Sequence, residues 1–363
     1  MTTQEKRLTL ELCKIKGYNK DLLTNLISKG HASPSVLGEL FFNRMAGVAY
    51  KVLQESDLLG KVNREFRNSL SNAYLQNIGK NNSFFKCLEY VSTILSDFDS
   101  DYVMLKGAYL CLRYPAGCRT SNDIDLLVKP TSVGKIEEAL LKEGFLQGNI
   151  KNGYFVPASR REIISSKMMR GETVPFIKEV NLPYQKYLEI DVNFSLGFAQ
   201  DDGFAVNEMI NNAQKIDLVK FCIKVPSEPD FFIHLCSHLW KEASTYPWIK
   251  MKRDMSIYKY SDIFLLMSSI SLNSLEEIIN RAKVFGLQND CFATISQTKE
   301  IFKPTNVMYD ILLDRFDAKE NISNLVVYPE EKKLFEYVEK NVIKRLFAKD
   351  RCKLLKEVGE WKP

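Results

Sequence analysis

Apolar residues recur three and four positions apart through the first hundred residues of the chain. The clearest runs are Leu22, Leu23, Leu26 and Ile27, and then Phe84, Phe85, Leu88, Val91, Ile94 and Leu95. This spacing predicts amphipathic helices. Clusters of Gly, Asn, Ser and Pro at 30–34, 58–60 and 79–82 predict breaks between them. Residues 1–100 are therefore predicted to form an all-helical N-terminal region.

Shorter apolar runs begin at Asp101. The predicted elements are strands at 102–105, 123–128 and 187–194, a short helix that opens at Gly107 and ends before Pro115, and an amphipathic helix at 132–143 closed by Gly144. Pro130 ends the second strand because proline cannot donate to a sheet ladder. The pattern predicts a mixed α and β core over residues 101–200.

Helical spacing returns from Glu228 to the end of the chain. Helices are predicted at 231–240 and 256–268, followed by one with a capping box at Ser274 and Glu277 and a stop at Gly286, and by further helices. Residues 201–363 are predicted to be a C-terminal helical region. The predicted fold class is α+β, a small mixed sheet with helical regions on both sides.

Composition excludes some classes of protein. The 363 residues are 45% hydrophobic, and 50 Lys and Arg against 45 Asp and Glu give a net charge of +5, too small for a dedicated nucleic-acid coat. A nucleic-acid partner is therefore not favoured. Charges interrupt every apolar run before the roughly 18 residues that a membrane span needs, so no membrane partner is expected. Eight cysteines without a CxxC pair, and an N-terminus without an apolar signal, predict a cytoplasmic protein with free thiols.

Two carboxylates alternate along the strand at 123–128. Asp123 and Asp125 point to one face while Ile124 and Leu126 point to the other. Such a pair repels itself unless a cation lies between, and hard oxygen ligands suit Mg²⁺ with bound phosphates. Considered alone, this pair is equally consistent with two acids that are simply solvated at the end of a strand and bind no metal. Gly107 on the preceding turn lets the backbone approach a triphosphate closely.

Asp191 is the candidate for a third acid on a neighbouring strand. It shares a face with Glu189 and Asn193. A third carboxylate completes a two-metal site, in which one ion activates the attacking oxygen and the other steadies the leaving pyrophosphate. The phase of the strand permits this role for Asp191 without proving it.

These motifs resemble a bacterial family of the polymerase-β-type nucleotidyltransferase superfamily. The resemblance lies in the run Leu105 to Leu110, in Tyr114-Pro115, and in Arg119 leading into residues 123–128. It implies transfer of a nucleoside monophosphate from an NTP to an acceptor hydroxyl, amine or phosphate with two Mg²⁺ ions. The acceptor is an unidentified small molecule, peptide or RNA.

The resemblance also implies roles for single residues. Asp123, Asp125 and Asp191 would bind the metal ions and carry the catalysis, Lys106 and Gly107 would meet the triphosphate, and Arg119 or Ser121 would orient it. For Lys106 the alternative is a surface ion pair with Asp101 or another local acid.

Two positions depart from the family pattern. Ala108 stands where many members have Ser or a second Gly, and Asn193 stands where relatives often have His, so no base is present at that position. Two alternatives therefore stay open: a catalytically silent nucleotide-binding or regulatory protein of this fold, and an RNA-modifying toxin of the same chemistry.

Other candidate residues have plainer interpretations. His234 and His238 share a helix face with Cys236 between them, but packing is favoured over zinc because no third ligand is near in sequence. Asp254 and Asp262 are predicted to be a cap or a buried ion pair. The basic stretch Arg160, Arg161, Lys167 and Arg170 either reaches the triphosphate or lies in a solvated loop. The C-terminal basic residues 340–356 are predicted to form a solvated helix.

Overall fold

The computed structural model describes residues 1–98, 100–196, 203–319 and 321–361. The helices are α1 (Thr3–Leu12), α2 (Lys20–Ser28), α3 (Pro34–Phe42), α4 (Ala46–Glu55), α5 (Arg64–Ile94), α6 (Gly107–Arg113), α7 (Val133–Lys142), α8 (Arg160–Arg170), α9 (Phe204–Asn211), α10 (Glu228–Ala243), α11 (Tyr246–Lys250), α12 (Ile257–Met267), α13 (Leu272–Val284), α14 (Gln288–Phe302), α15 (Met308–Arg315) and α16 (Val342–Leu346). The strands are β1 (Tyr102–Met104), β2 (Asp123–Val128), β3 (Leu146–Lys151), β4 (Tyr154–Pro157), β5 (Phe176–Leu182), β6 (Gln185–Asn193), β7 (Gln214–Asp217), β8 (Cys222–Val225), β9 (Leu325–Tyr328), β10 (Lys333–Tyr337) and β11 (Leu355–Glu360). The α+β class and the mixed sheet are confirmed.

The chain divides into two compact units. One comprises Met1–Tyr74 with Phe232–Pro363, and the other comprises Leu75–Phe231. The divisions fall inside α5 and α10. The three regions predicted with boundaries at residues 100 and 200 stay a prediction.

The unit Leu75–Phe231 is built on a six-stranded sheet of order β1-β2-β6-β5-β3-β4. The pairing of β2 with β6 is parallel, and the other neighbouring strands pair antiparallel. One face of β2 and β6 is apolar, because Ile124, Leu126, Ile190 and Val192 are all fully buried. The opposite face carries the acidic residues. The three strands predicted from sequence are confirmed, with β6 beginning two residues earlier.

The sheet also contains a hairpin, β3–β4, that the apolar pattern did not predict. Its turn, Asn152-Gly153, has positive φ at both residues (53° and 80°), as in the tight turns that join antiparallel strands. This dipeptide is a recognisable hairpin signal in the sequence. The basic stretch that follows is helix α8 and not a loop. Ser159 and Glu162 form a capping box at its start.

The first hundred residues are helical as predicted, but the predicted break at 79–82 is wrong. Helix α5 continues through it from Arg64 to Ile94. Gly79 is placed for close packing, because a Cβ there would lie 2.4 Å from the Tyr184 ring. Polar residues of this segment bond to other parts of the unit, so they do not interrupt the helix.

The unit Met1–Tyr74 with Phe232–Pro363 is mainly helical and ends in a three-stranded sheet of order β11-β10-β9. The prediction of helices to the end is therefore wrong, and only α16 within the C-terminal basic residues is an α-helix. Tyr246 of α11 stacks on Tyr328 of β9 and on Phe335 of β10, and its ring centroid lies 5.0 and 5.2 Å from theirs. Such aromatic contacts between distant segments favour strands that local helical spacing does not indicate.

Two further expectations concern this unit. Asp254 is fully buried and accepts two hydrogen bonds of 2.6 Å from Arg351, which confirms the buried ion pair. The predicted capping box at Ser274 and Glu277 is wrong, because Ser271 caps α13 by accepting from the amide of Ser274. No helix in the described residues has the length and apolar character needed to cross a membrane.

Candidate active site

The turn between β1 and α6 places Lys106 and Gly107 beside the acidic strand. Lys106 adopts a strained backbone conformation, φ 40° and ψ −108°, that residues with a side chain rarely populate. Gly107 is packed against Ser121. A Cβ at residue 107 would lie 2.2 Å from the Ser121 Oγ and 2.4 Å from its Cβ. Because Gly107 has no side chain, Ser121 can pack directly against this turn, just before β2 begins.

Two asparagines of α5 hold the loop that leads into β2. Asn81 is buried; its Nδ2 donates to the carbonyl oxygen of Arg119 over 2.8 Å, and its Oδ1 accepts from the amide of Gly117 over 2.9 Å. Asn77 donates to the Gly117 carbonyl oxygen over 3.0 Å. Neither residue was predicted from the sequence. Asn81 lies in the polar cluster at 79–82 that indicated a helix break, and Asn77 lies just before that cluster.

Replacing Asn81 by Ala is expected to destabilise the protein by about 1–3 kcal/mol, because an amide and a carbonyl group of the loop lose their partner. Urea denaturation would measure the change. The neighbouring Asn82 is exposed, so Asn82→Ala is the matched control and should change stability by less than about 0.5 kcal/mol. Equal effects of the two substitutions would contradict the anchoring role of Asn81.

The parallel pairing of β2 with β6 brings four carboxylates onto one face. Asp123 is the register partner of Glu189, and Asp125 is the partner of Asp191. Adjacent strands lie about 4.8 Å apart. The structure therefore places Asp191 on the same face as Asp123 and Asp125, on the neighbouring strand, with Glu189 beside it.

Lys106 supplies a positive charge to this face. Its Nζ lies 2.6 Å from the Oδ1 of Asp125, and the side chain of Asp125 is 5% exposed. The alternative partner, Asp101, lies 4.0 Å from the Nζ of Lys129. Lys106 thus belongs to the carboxylate cluster.

Ser121 and Arg119 lie in the loop before β2. The hydroxyl of Ser121 donates to the Oδ1 of Asp123 over 2.8 Å, which fixes that carboxylate. The guanidinium of Arg119 donates from Nη1 to the Thr120 carbonyl oxygen over 2.5 Å. Ser121 therefore lies directly at the acidic strand, and the role of Arg119 in orienting a triphosphate stays a prediction.

The concentration of negative charge changes the acidity of the site. Burial raises the pKa of Asp191 well above its ordinary value; the nearby Asp125, Asp123 and Glu189 raise it further, and Lys106 opposes the rise. Burial, and then Asp123 and Asp125, also raise the pKa of Glu189. A carboxylate in this environment binds a proton, or another cation, more readily than one in water.

The four carboxylates of this face offer hard oxygen atoms, which are the ligands that a divalent cation such as Mg²⁺ prefers. Their mutual repulsion also favours a bound cation. Within the described residues, no three His, Cys, Asp or Glu side chains are arranged as the ligands of one metal ion. In this arrangement the ammonium group of Lys106 lies against the Asp125 oxygen. Metal binding by Asp123, Asp125 and Asp191 stays a prediction.

The two residues that depart from the family pattern, Ala108 and Asn193, both make contacts that support the fold. Ala108 is fully buried in the first turn of α6. The Nδ2 of Asn193 donates to the Leu126 carbonyl oxygen over 3.4 Å, which links β6 to β2. Asn193 therefore supports the strand pair that carries the acids.

The remaining sequence candidates are engaged elsewhere. His234 and His238 stack on each other, with ring centroids 6.2 Å apart, and His238 lies 3.5 Å from Glu242. In the basic stretch, Lys167 bonds Glu137 over 2.6 Å. In the C-terminal segment, three lysines each pair with a carboxylate: Lys340 with Glu336, Lys344 with Glu339, and Lys353 with Asp350. These pairs reduce the local positive charge there.

Comparison with known proteins identifies a family for this chain. The model of a family described as "Uncharacterised nucleotidyltransferase" matches residues 36–303. A similar solved structure is that of an antigenic nucleotidyltransferase-like protein from Paracoccidioides brasiliensis, with 12% sequence identity and a TM-score of 0.31; the match covers 56% of this chain and 90% of that chain. No curated protein matches the chain.

Proposed function

Because this chain belongs to the family of uncharacterised nucleotidyltransferases, we propose that it transfers a nucleoside monophosphate from an NTP to an acceptor hydroxyl, amine or phosphate. The observation that carries the proposal is the register of β2 and β6, which places Asp191 beside Asp125 on the face that also holds Asp123. Three carboxylates on two adjacent strands are the donors that this chemistry needs.

In the proposed reaction, the acceptor atom attacks the α-phosphorus of the NTP. A bond forms between the acceptor and that phosphorus, the bond from the α-phosphorus to the bridging oxygen of the β-phosphate breaks, and pyrophosphate leaves with the electron pair. The proton of a hydroxyl or amine acceptor passes to Asp191, the carboxylate of β6 that lies beside Asp125. A phosphate acceptor that is already ionised has no proton to give up.

Asp123, Asp125 and Asp191 would hold two Mg²⁺ ions, which supply charge stabilisation at the attacking and leaving oxygens. Ser121 keeps the Asp123 carboxylate in place through its hydroxyl. Lys106 has the length to carry an ammonium group to the triphosphate, and Gly107 keeps the turn free of a side chain. Arg119 would orient the triphosphate from the loop before β2.

The first experiment is binding. Mg²⁺ with each NTP in turn should raise the melting temperature of the wild type, and should not raise that of a double variant with Asp123→Ala and Asp125→Ala. The second is incubation with each NTP labelled at the α-phosphate and a cell extract, followed by identification of the labelled acceptor. Binding without label transfer would favour the silent regulatory alternative, and salt-sensitive labelling of tRNA would favour the RNA-modifying toxin.

A further inference from the structure

The ammonium group of Lys106 lies among the carboxylates that the proposed reaction assigns to metal. It bonds the Oδ1 of Asp125 over 2.6 Å, and Asp125 is almost completely shielded from solvent. Lys106 therefore compensates the charge of Asp125, the carboxylate of β2 that faces Asp191 on β6.

The backbone at Lys106 is strained in the same arrangement. Its φ of 40° and ψ of −108° lie in a region that favours glycine. Such a conformation persists only where surrounding contacts hold it. The ion pair with Asp125 is one contact that holds this lysine in place.

A divalent ion and an ammonium group compete for the same oxygen of Asp125. A free ion that binds this oxygen must displace Lys106 and break its ion pair with Asp125, whose side chain is only 5% exposed. An ion that enters with a triphosphate brings phosphate oxygens, which give the displaced ammonium group a new anionic partner. The cost of moving Lys106 is thus lower for the complex than for the ion.

We propose that Lys106 occupies the cation position at Asp125 until a nucleotide draws it away, so that the site accepts the metal–nucleotide complex in preference to the free metal ion. This inference rests on the proposed function, since it assumes that Asp125 binds metal and that the substrate is an NTP. It assigns Lys106 two successive partners, first Asp125 and then the triphosphate.

The test uses the full chain and two binding measurements. The first follows free Mn²⁺ by electron paramagnetic resonance with the metal alone. The second follows a labelled α,β-methylene NTP by equilibrium dialysis at saturating Mn²⁺. The variants are Lys106→Met, which keeps the stem, and Lys106→Gly, which removes the charge and suits the positive φ. Lys129→Met is the matched control, because Lys129 also faces an aspartate next to β1.

Both Lys106 variants are expected to bind Mn²⁺ alone about tenfold more tightly than the wild type and to bind the Mn²⁺–nucleotide analogue about tenfold more weakly. These opposite shifts are the signature of a lysine that changes partners, and Lys129→Met should show neither. Unchanged or weaker Mn²⁺ binding in both variants, while the analogue still binds the wild type, would overturn this inference and leave the proposed function standing. A wild type that binds neither Mn²⁺ nor the analogue would overturn both.

Discussion

Replacement of Asp125 by Asn is expected to lower the rate of nucleotide transfer by at least about 10³-fold, because the metal ions that this carboxylate would bind supply several kcal/mol of transition-state stabilisation. The fold should survive, since the amide oxygen of Asn still accepts a hydrogen bond from Lys106. Asp123→Asn should cause a similar loss, with stability unchanged or slightly raised because repulsion within the cluster falls. Transfer of label from an NTP labelled at the α-phosphate measures the rate.

Asp101→Asn is the matched control for these substitutions. Asp101 adjoins β1 in the same sheet and lies 4.0 Å from the Nζ of Lys129, a separation at which a partly exposed pair contributes little. Its substitution should leave the rate of transfer within about twofold of the wild type. A near-normal rate for Asp125→Asn would contradict the proposed mechanism.

The strands that carry the candidate site could be predicted because their alternation is local. Asp123 and Asp125 are separated by one buried residue, Ile124. Asp191 alternates in the same way, between the buried residues Ile190 and Val192. Which strands pair depends on contacts between distant parts of the chain. The 58 residues between Val128 and Tyr187 contain three other strands, β3, β4 and β5, so no local pattern could indicate that β6 lies parallel to β2. The shared face of the three acids was therefore a prediction that needed the structure.

The errors arose where tertiary contacts override local preference. Gly79 and the asparagines around it have the composition of a break, yet close packing against Tyr184 and hydrogen bonds to the loop at Gly117 and Arg119 maintain the helix. The C-terminal segment has helical spacing, yet aromatic stacking supports a sheet. In both cases the deciding partner lies more than 30 residues away in sequence.

The partner of Lys106 likewise could not be predicted from local sequence, because it depends on how distant strands pair. From the sequence, two partners were predicted for Lys106: a triphosphate, or a nearby acid such as Asp101. The structure pairs Lys106 with Asp125, 19 residues away. This contact follows from the antiparallel pairing of β1 with β2, which sets Met104 opposite Leu126 and so brings the turn to the start of the acidic strand.

Replacement of Gly107 by Ala is expected to destabilise the protein by about 2–3 kcal/mol, because the new Cβ would overlap Ser121 in a closely packed turn. The overlap involves both the Oγ and the Cβ of Ser121, at 2.2 and 2.4 Å, so a rotation of the hydroxyl alone cannot relieve it. A displaced Ser121 would also release the Asp123 carboxylate, and nucleotide transfer should fall by about 10²-fold as that ligand moves.

Second substitutions at Ser121 test whether the loss of stability comes from overlap with Ser121 or from another requirement for glycine at residue 107. In the Gly107→Ala background, Ser121→Gly removes both overlapping atoms and should recover more than half of the lost stability in urea denaturation, whereas Ser121→Ala keeps the Cβ at 2.4 Å and should recover little. Gly134→Ala is the control for glycine replacement near the start of a helix: outside its own helix turn and its chain neighbours, no atom lies within 4 Å of a Cβ there, and helix propensity predicts no loss and a gain of at most about 1 kcal/mol. Equal recovery by the two Ser121 substitutions would show that the backbone of the turn, and not the Ser121 Cβ, sets the requirement for glycine.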